Sequence, residues 1–274
     1  MAPEKAIVEL SDSLARYSAL LDRYQIDGFN RNIDPRDNEN AFDSDWAVQH
    51  YFSTGADALR IIIKNLITVG LEPPRRILDF PCGSGRVMRH LRALFQEATI
   101  GACDLSWEHV EFCSKEFDAE PIMSSEDLSA LDIGQWDLIF CGSLLTHLPE
   151  PLFWPTMDFM IRSLNPNGLA VVTLEGRRSI FLQDNRYKLI GDEQFEFIRE
   201  SYQKNGFGYS NYHQQFRDEK FNAQDSYGVT IVRPDWLMAG LAKRDNVTIQ
   251  SFTEADWDEH QDVIVLQKRP VSFE

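Results

Sequence analysis

The chain is predicted to be an α/β protein built on a wound, mostly parallel sheet, and three observations carry that prediction. Short apolar runs alternate with helical patterns between residues 76 and 175, as parallel strands joined by crossover helices require. One run, Ile77-Leu78-Asp79-Phe80, stops at an acid and turns through Pro81-Cys82-Gly83-Ser84-Gly85 towards a helix. Near the end, apolar runs at 247–252 and 263–266 are separated only by residues 253–262, which predicts an antiparallel closing hairpin.

The elements follow in order. Residues 5–24 place Ile7, Leu10, Leu14, Tyr17, Leu21 and Tyr24 at helical spacing, an amphipathic helix. Residues 27–45, with Gly28, Pro35 and many charges, read as a loop or partly ordered arm. A second helix over 45–69 has an apolar centre, Leu59-Arg60-Ile61-Ile62-Ile63, that must pack on something. Gly70 ends it, and Pro73-Pro74 blocks continuation.

The wound part is predicted as strand 76–80, helix 84–95, strand 98–104, helix 106–117, strand 121–124, strand 136–141 and helix 151–164. A turn at Asn165-Pro166-Asn167-Gly168 then leads to a fifth strand, 169–175, all five parallel. Residues 176–233 are rich in aromatics, among them Phe181, Tyr187, Phe195, Tyr202, Tyr212 and Tyr227. A connection that long is functional or hides an unread element, and we expect a substrate cap there, possessing its own small core. A helix over 234–241 precedes the closing hairpin. The expected organisation is an N-terminal helical cap over 1–70, the main domain over 71–274, and the 176–233 insertion within it.

Composition narrows the function. The 274 residues, 43% apolar, suffice for one sizeable core. Lys and Arg number 27 against 43 Asp and Glu, a formal charge of −16, and such a surface repels phosphate backbones, so nucleic acid is not an expected partner. The four cysteines, Cys82, Cys103, Cys113 and Cys141, show no Cys-x-x-Cys spacing; neither a zinc site nor a disulfide framework is indicated, and a reducing compartment fits. The N-terminus lacks the order of a secretory leader, and no apolar run reaches the roughly 20 residues that cross a bilayer. A cytoplasmic protein with no membrane partner is expected.

The turn after the first strand has the form of a nucleoside-cofactor cradle. Glycines let backbone N–H groups face a ligand at a helix entry, and Asp104, at the end of the second strand, can accept both hydroxyls of a ribose. Nicotinamide dinucleotides and S-adenosylmethionine both use that geometry. In a dinucleotide fingerprint a third glycine stands where this chain has Met88. A side chain of that size crowds a diphosphate but not a methionine tail.

Asp79 through Gly85, Asp104, the run Phe140-Cys141-Gly142-Ser143-Leu144-Leu145-Thr146-His147-Leu148 and the segment Leu164-Asn165-Pro166-Asn167-Gly168 together resemble the class I S-adenosylmethionine-dependent methyltransferases. The resemblance covers about residues 75–175 and, weakly, the closing hairpin. It implies a Rossmann-like seven-stranded sheet with its last strand reversed, and S-adenosylmethionine as cofactor. Carried over by position, Asp79, Gly83 and Gly85, in the loop with Pro81 and Cys82, would hold the methionine portion. Asp104 would hold the ribose, Leu105 flank the adenine, Ser125 and Glu126 meet its edge, and Cys141, Gly142 and Ser143 line the site below the sulfonium. Two positions depart from the family's habit: Pro81 stands where glycine is commoner, and Ser124 where an acid often stands.

Further candidates come from placement. Tyr51, with His50, starts the helix before the first strand and is expected at the methionine end. His147 either satisfies a backbone group or acts as a general base. Tyr212, His213 and Glu175 are polar candidates near the acceptor. The expected reaction is in-line transfer of a methyl group to a small-molecule or saccharide acceptor, at oxygen, without a metal; a homodimer is compatible with it. Methylation of a protein or glycan chain, and a non-catalytic S-adenosylmethionine-binding sensor or assembly subunit, stand as alternatives.

Overall fold

The computed structural model describes residues 3–37, 44–212 and 226–270. The chain divides into two compact units, Met1–Phe140 with Ser163–Val171, and Cys141–Arg162 with Val172–Glu274.

The first unit opens with helices α1 (Pro3–Asp27) and α2 (Asp45–Val69), continues with β1 (Arg76–Asp79), α3 (Met88–Leu94), β2 (Thr99–Asp104), α4 (Trp107–Phe117) and β3 (Glu120–Met123), and takes in nearly all of β4 (Trp136–Cys141) and much of β5 (Leu164–Leu174). Ser44 caps α2 by accepting from the Ala47 amide, and Gly70, at φ 75°, closes it. The apolar centre of α2 is buried through Leu59, Ile61, Ile62 and Leu66. At Gly55 this helix passes so close to the turn after β1 that a Cβ would lie 2.2 Å from the Arg86 carbonyl oxygen. β1 pairs in parallel with β2 and β4, and β2 with β3.

The second unit holds α5 (Glu150–Arg162), α6 (Arg177–Asn185), α7 (Asp192–Asn205), β6 (Phe207–Asn211), β7 (Gly228–Val232), α8 (Pro234–Leu241), β8 (Val247–Trp257) and β9 (Gln261–Lys268). β8 and β9 form the antiparallel hairpin expected from the sequence. The large sheet runs β3-β2-β1-β4-β5-β9-β8, seven strands, as expected; β6 and β7 make a separate antiparallel pair.

The differences from expectation have local causes. The helix after β1 begins at Met88 rather than Ser84, because residues 83–87 form turns in which the Gly85 amide donates to the Cys82 carbonyl at 3.0 Å. The turn predicted at 165–168 is instead the first part of β5. Asn165 donates to the Asp137 carboxylate at 2.8 Å, and Gly168 passes so near β4 that a Cβ would sit 2.9 Å from the Trp136 carbonyl. β8 extends five residues past its predicted end by two register shifts, and the turn before β9 shrinks to 258–260, with Asp258 and Glu259 at positive φ. The described residues of the segment 176–233 form two helices and a strand pair, and its buried residues Ile190, Phe195, Ile198, Tyr202, Val229 and Ile231 form a core cluster. No helix among the described residues is long and apolar enough to cross a membrane.

Candidate functional site

Asp79 ends β1 at 2% exposure, facing Ala102 of β2 and Phe140 of β4 in register. The Phe80 amide donates to the Phe140 carbonyl at 2.9 Å, and the Phe80–Pro81 bond is cis. Beyond it the turn is tied to β2: Cys82 N–H donates to the Cys103 carbonyl, and Gly83 N–H to Asp104 Oδ2, each at 3.0 Å. The amides of Cys82, Gly83 and Gly85 are therefore committed inside the loop. The glycines contribute space and backbone freedom instead. Gly83, at φ 47°, has nothing within 4 Å of where a Cβ would stand, whereas Gly85, at φ 78°, packs against Phe117, whose Cε2 would be 2.3 Å from a Cβ. Gly83 is thus the open position of the loop.

Asp104 is buried. Besides Gly83, its carboxylate accepts from the Ser106 amide at 2.9 Å through Oδ1, and His109 Nδ1 lies 3.6 Å from the same oxygen. A carboxylate offers about four lone-pair positions, so two amides leave capacity for ribose hydroxyls. Next to it Leu105 presents an apolar side chain at 58% exposure, a surface on which an adenine can lie. Ser125 and Glu126 are exposed after β3, and the Ser124 amide donates to the Asp104 carbonyl at 2.8 Å. These positions satisfy what an adenosine group demands: a carboxylate acceptor, an apolar flank and an uncrowded glycine.

Tyr51 is not on the surface of this loop but buried behind it. Its hydroxyl receives a hydrogen bond from Arg89 Nη2 at 3.3 Å, and burial, the nearby Asp37 charge adding to it, pushes its phenol well above the usual value. Arg89 itself, 1% exposed, is a residue the sequence reading missed. Its guanidinium donates to the Gly85, Asn30 and Asn32 carbonyls at 2.9–3.0 Å. It thereby clamps the arm after α1 against the glycine turn. Asn30 and Asn32 also donate to Glu116 of α4, so the stretch 28–37 is a docked segment. The cysteines contribute packing here: Cys82 is buried with its thiol hydrogen-bonded to Cys113, which pushes its ionisation up, and Cys113 Sγ donates to the Gly83 carbonyl at 3.3 Å.

In the second unit the segment after β4 is held by side chains of its neighbours. Cys141 is fully buried; Gly142 and Ser143 are partly exposed. Ser143 has φ 54°, uncommon for a residue with a Cβ. Its amide donates to Thr173 Oγ1 at 2.8 Å, the threonine hydroxyl donates to Gln261 Oε1 at 2.6 Å, and Gln261 Nε2 donates back to Ser143 Oγ at 3.0 Å. His147 Nδ1 lies 2.7 Å from the Gly228 carbonyl. A carbonyl only accepts, so Nδ1 carries the hydrogen. The ring stacks on Tyr227 at 4.5 Å, and the Tyr212 hydroxyl is 3.3 Å from Nδ1. Of its two expected roles, the geometry gives the contact with a backbone group, through Nδ1.

Glu175, just past β5, is 5% exposed. Burial, reinforced by Asp262, pushes its carboxyl up to about 8, so it is mostly protonated at pH 7. Asp262 is pushed up to about 6, again chiefly by burial, and accepts from the Ala255 amide at 2.8 Å. His260 is pushed down to about 4 by burial and then by Arg178. His213 lies outside the described residues, and those residues hold no group of His, Cys, Asp and Glu side chains suited to a metal ion.

Residues 78–170 match the protein-family model described as a methyltransferase domain. Among curated proteins, the malonyl-[acyl-carrier protein] O-methyltransferase of Halalkalibacterium halodurans is 26% identical over 125 residues, 43% of this chain and 45% of that protein. The ubiquinone biosynthesis O-methyltransferase of Thiobacillus denitrificans is 30% identical over 84 residues, 28% of this chain and 35% of its own. The chain thus spans less than half the length of these relatives. Among solved structures, an S-adenosylmethionine-dependent methyltransferase from Clostridium acetobutylicum superposes with a TM-score of 0.52 at 14% identity, covering 80% of this chain and 92% of its own. The strand order and the superposition agree on the fold of an S-adenosylmethionine-dependent methyltransferase, and the methyltransferase-domain match takes in the acid-and-glycine turn after β1.

Proposed function

We propose that the chain transfers a methyl group from S-adenosylmethionine to an oxygen of a small-molecule or saccharide acceptor. The observation that carries the cofactor half is the Asp104 carboxylate, bonded to the Gly83 and Ser106 amides beside the open space over Gly83. Bound there, S-adenosylmethionine supplies an electrophilic methyl group on a sulfonium. Asp79, Gly83 and Gly85, with Pro81 and Cys82, form the methionine end; Asp104 takes the ribose hydroxyls; Leu105, Ser125 and Glu126 border the adenine. By the resemblance in sequence, Cys141, Gly142 and Ser143 would line the site below the sulfonium. Tyr51 acts through Arg89 to keep the glycine turn in shape.

The reading at oxygen rests on His147. A hydroxyl is a poor nucleophile until its proton leaves, and the His147 imidazole, held by Nδ1 on the Gly228 carbonyl, is the side chain assigned to receive it. The segment 176–233 serves as the substrate cap, in keeping with its own core and its aromatic side chains. Alignment of donor and acceptor and exclusion of water are the protein's other contributions, and together they can be worth about 7–11 kcal/mol.

The test has two stages. Calorimetry of the full chain with S-adenosylmethionine and S-adenosylhomocysteine should show one saturable site; its absence removes the methyl donor. A product assay over hydroxyl-bearing and amine-bearing acceptors should then show methyl ethers, and turnover only at nitrogen would overturn the oxygen reading. Binding without turnover on any acceptor would point to a sensor.

A further inference from the structure

Four buried polar atoms of the second unit have no hydrogen-bond partner among the described residues: Glu175 Oε2, His260 Nε2, Ser179 Oγ and Thr146 Oγ1. A buried polar group left without a partner is costly, and a native chain seldom keeps several of them without a reason. Two belong to one pair: His260 Nε2 stands 3.8 Å from Glu175 Oε1, too far for a hydrogen bond between them. Ser179 lies in the first turn of α6, its amide donating to the carbonyl of Gly176, the residue after Glu175. Beside the pair, the Tyr187 hydroxyl is 3.3 Å from His260 Nδ1, with the two rings edge to face, and Tyr187 is 47% exposed.

We propose that Glu175 and His260 form a subsite for a hydroxyl group of the acceptor. The proposal rests on the methyl-transfer reading above and names the chemistry that reading leaves open. The donor and acceptor inventory selects the hydroxyl. A protonated carboxyl has a hydrogen to donate and an oxygen to accept with, and a neutral imidazole nitrogen does one or the other according to tautomer. A hydroxyl group is complementary to both, since it donates once and accepts twice. An ammonium group only donates and requires an ionised Glu175, which burial and Asp262 oppose. A carboxylate only accepts and meets the second acid, Asp262, whose charge already acts on Glu175. The titratable groups facing Glu175 are His260 before β9, Asp262 on β9, Tyr187 after α6 and Tyr212 after β6. The cation bearing on the pair is Arg178 of α6, whose charge acts on His260 and Tyr187.

The experiment measures binding of four probes to the full chain by ligand-observed NMR: phenol and methyl glucoside for the hydroxyl group, benzylammonium and benzoate as charged counterparts. At least one hydroxyl probe should bind more tightly than either charged probe, and which one it is separates an aromatic acceptor from a saccharide. Glu175→Ala and His260→Ala should each weaken that probe by about fivefold or more. Glu175→Gln, which keeps the shape and both hydrogen-bonding roles, should retain binding and serves as the control for folding. Wild-type affinity should fall as the pH passes about 8, and Glu175→Gln should remove that fall. Tighter binding of benzylammonium or benzoate, binding of neither hydroxyl probe, or hydroxyl affinity indifferent to both alanine substitutions would overturn the proposal. S-adenosylmethionine titration of the same variants keeps the two readings apart: intact cofactor binding with a failed hydroxyl result removes only the subsite, and failed cofactor binding removes the methyl-transfer reading and, with it, the assignment of the hydroxyl to a methyl acceptor.

Discussion

Replacing Asp104 tests the cofactor site most directly. In the structure its carboxylate accepts two backbone amides, Gly83 at 3.0 Å and Ser106 at 2.9 Å, and in the proposed complex it also accepts the ribose hydroxyls. Hydrogen bonds to a charged group contribute about 1.5–3 kcal/mol net. Asp104→Ala should therefore weaken S-adenosylhomocysteine by that amount, about 10- to 150-fold in Kd. Asp104→Asn retains one carbonyl oxygen but turns an NH₂ group towards the second amide, so its loss should be smaller but measurable. Calorimetry gives the affinities, and thermal unfolding shows how far the loss of the amide anchors loosens the fold. An alanine variant with Kd within twofold of wild type would refute the ribose assignment and reduce Asp104 to a brace of the turn. If both variants lost binding and fold together, the role would be structural.

The remaining expectations concern other parts of the molecule. Arg89→Met leaves the Gly85, Asn30 and Asn32 carbonyls without their buried donor and should cost about 1–3 kcal/mol for each carbonyl that water cannot reach, read in denaturant unfolding; Arg89→Lys should rescue it poorly, since an ammonium lacks the guanidinium fork. Gly83→Ala meets open space and suffers only the left-handed backbone cost of about 1–2 kcal/mol, so it should fold yet lose cofactor affinity, whereas Gly85→Ala, driven against Phe117, should lower the unfolding temperature more. His147→Ala should reduce kcat about 10²–10⁴-fold with cofactor affinity unchanged; a shift in affinity alone would remove its role as base. The pH dependence of stability follows from the signs. Glu175 rises from 4.5 to about 8 on folding, so the folded state holds a proton the unfolded state has lost, and stability falls as pH rises between those values. Asp262 acts in the same sense only up to about 6. His260 and His90, both lowered from 6.5 to about 4, act oppositely below 6.5. Between pH 6.5 and 8 the Glu175 contribution should dominate among these four, and Glu175→Gln should flatten the decline; an unchanged slope would refute its burial as an acid.

Much of the scaffold was legible in one dimension because its signals are local. The 45–69 helix has its cap at Ser44 and its stop at Gly70, and the strand-acid-glycine turn followed by Asp104 lies within two consecutive βα units, where spacing along the chain dictates spacing in space. The closing hairpin was visible for the same reason. Where strand and turn propensities competed, packing won: Asn165 to Gly168 carry a turn signature yet run as β5, because β4 supplies partners for that backbone.

The parts that escaped the sequence are those that need residues distant along the chain. Arg89 looks like an ordinary helical arginine until the arm at Asn30 and Asn32 brings carbonyls to it. Gln261 joins Ser143 and Thr173 only because β9 returns to its place in the sheet. Glu175 and His260 are both common residue types at unremarkable positions; their burial, and the ionisation it reverses, exist only once the β8–β9 turn stands beside the end of β5. Local backbone preference and hydrophobic periodicity determine the elements and the acid-and-glycine turn. Burial of polar groups, and with it their chemistry, depends on which distant atoms exclude water from them, and that was decided by the tertiary structure.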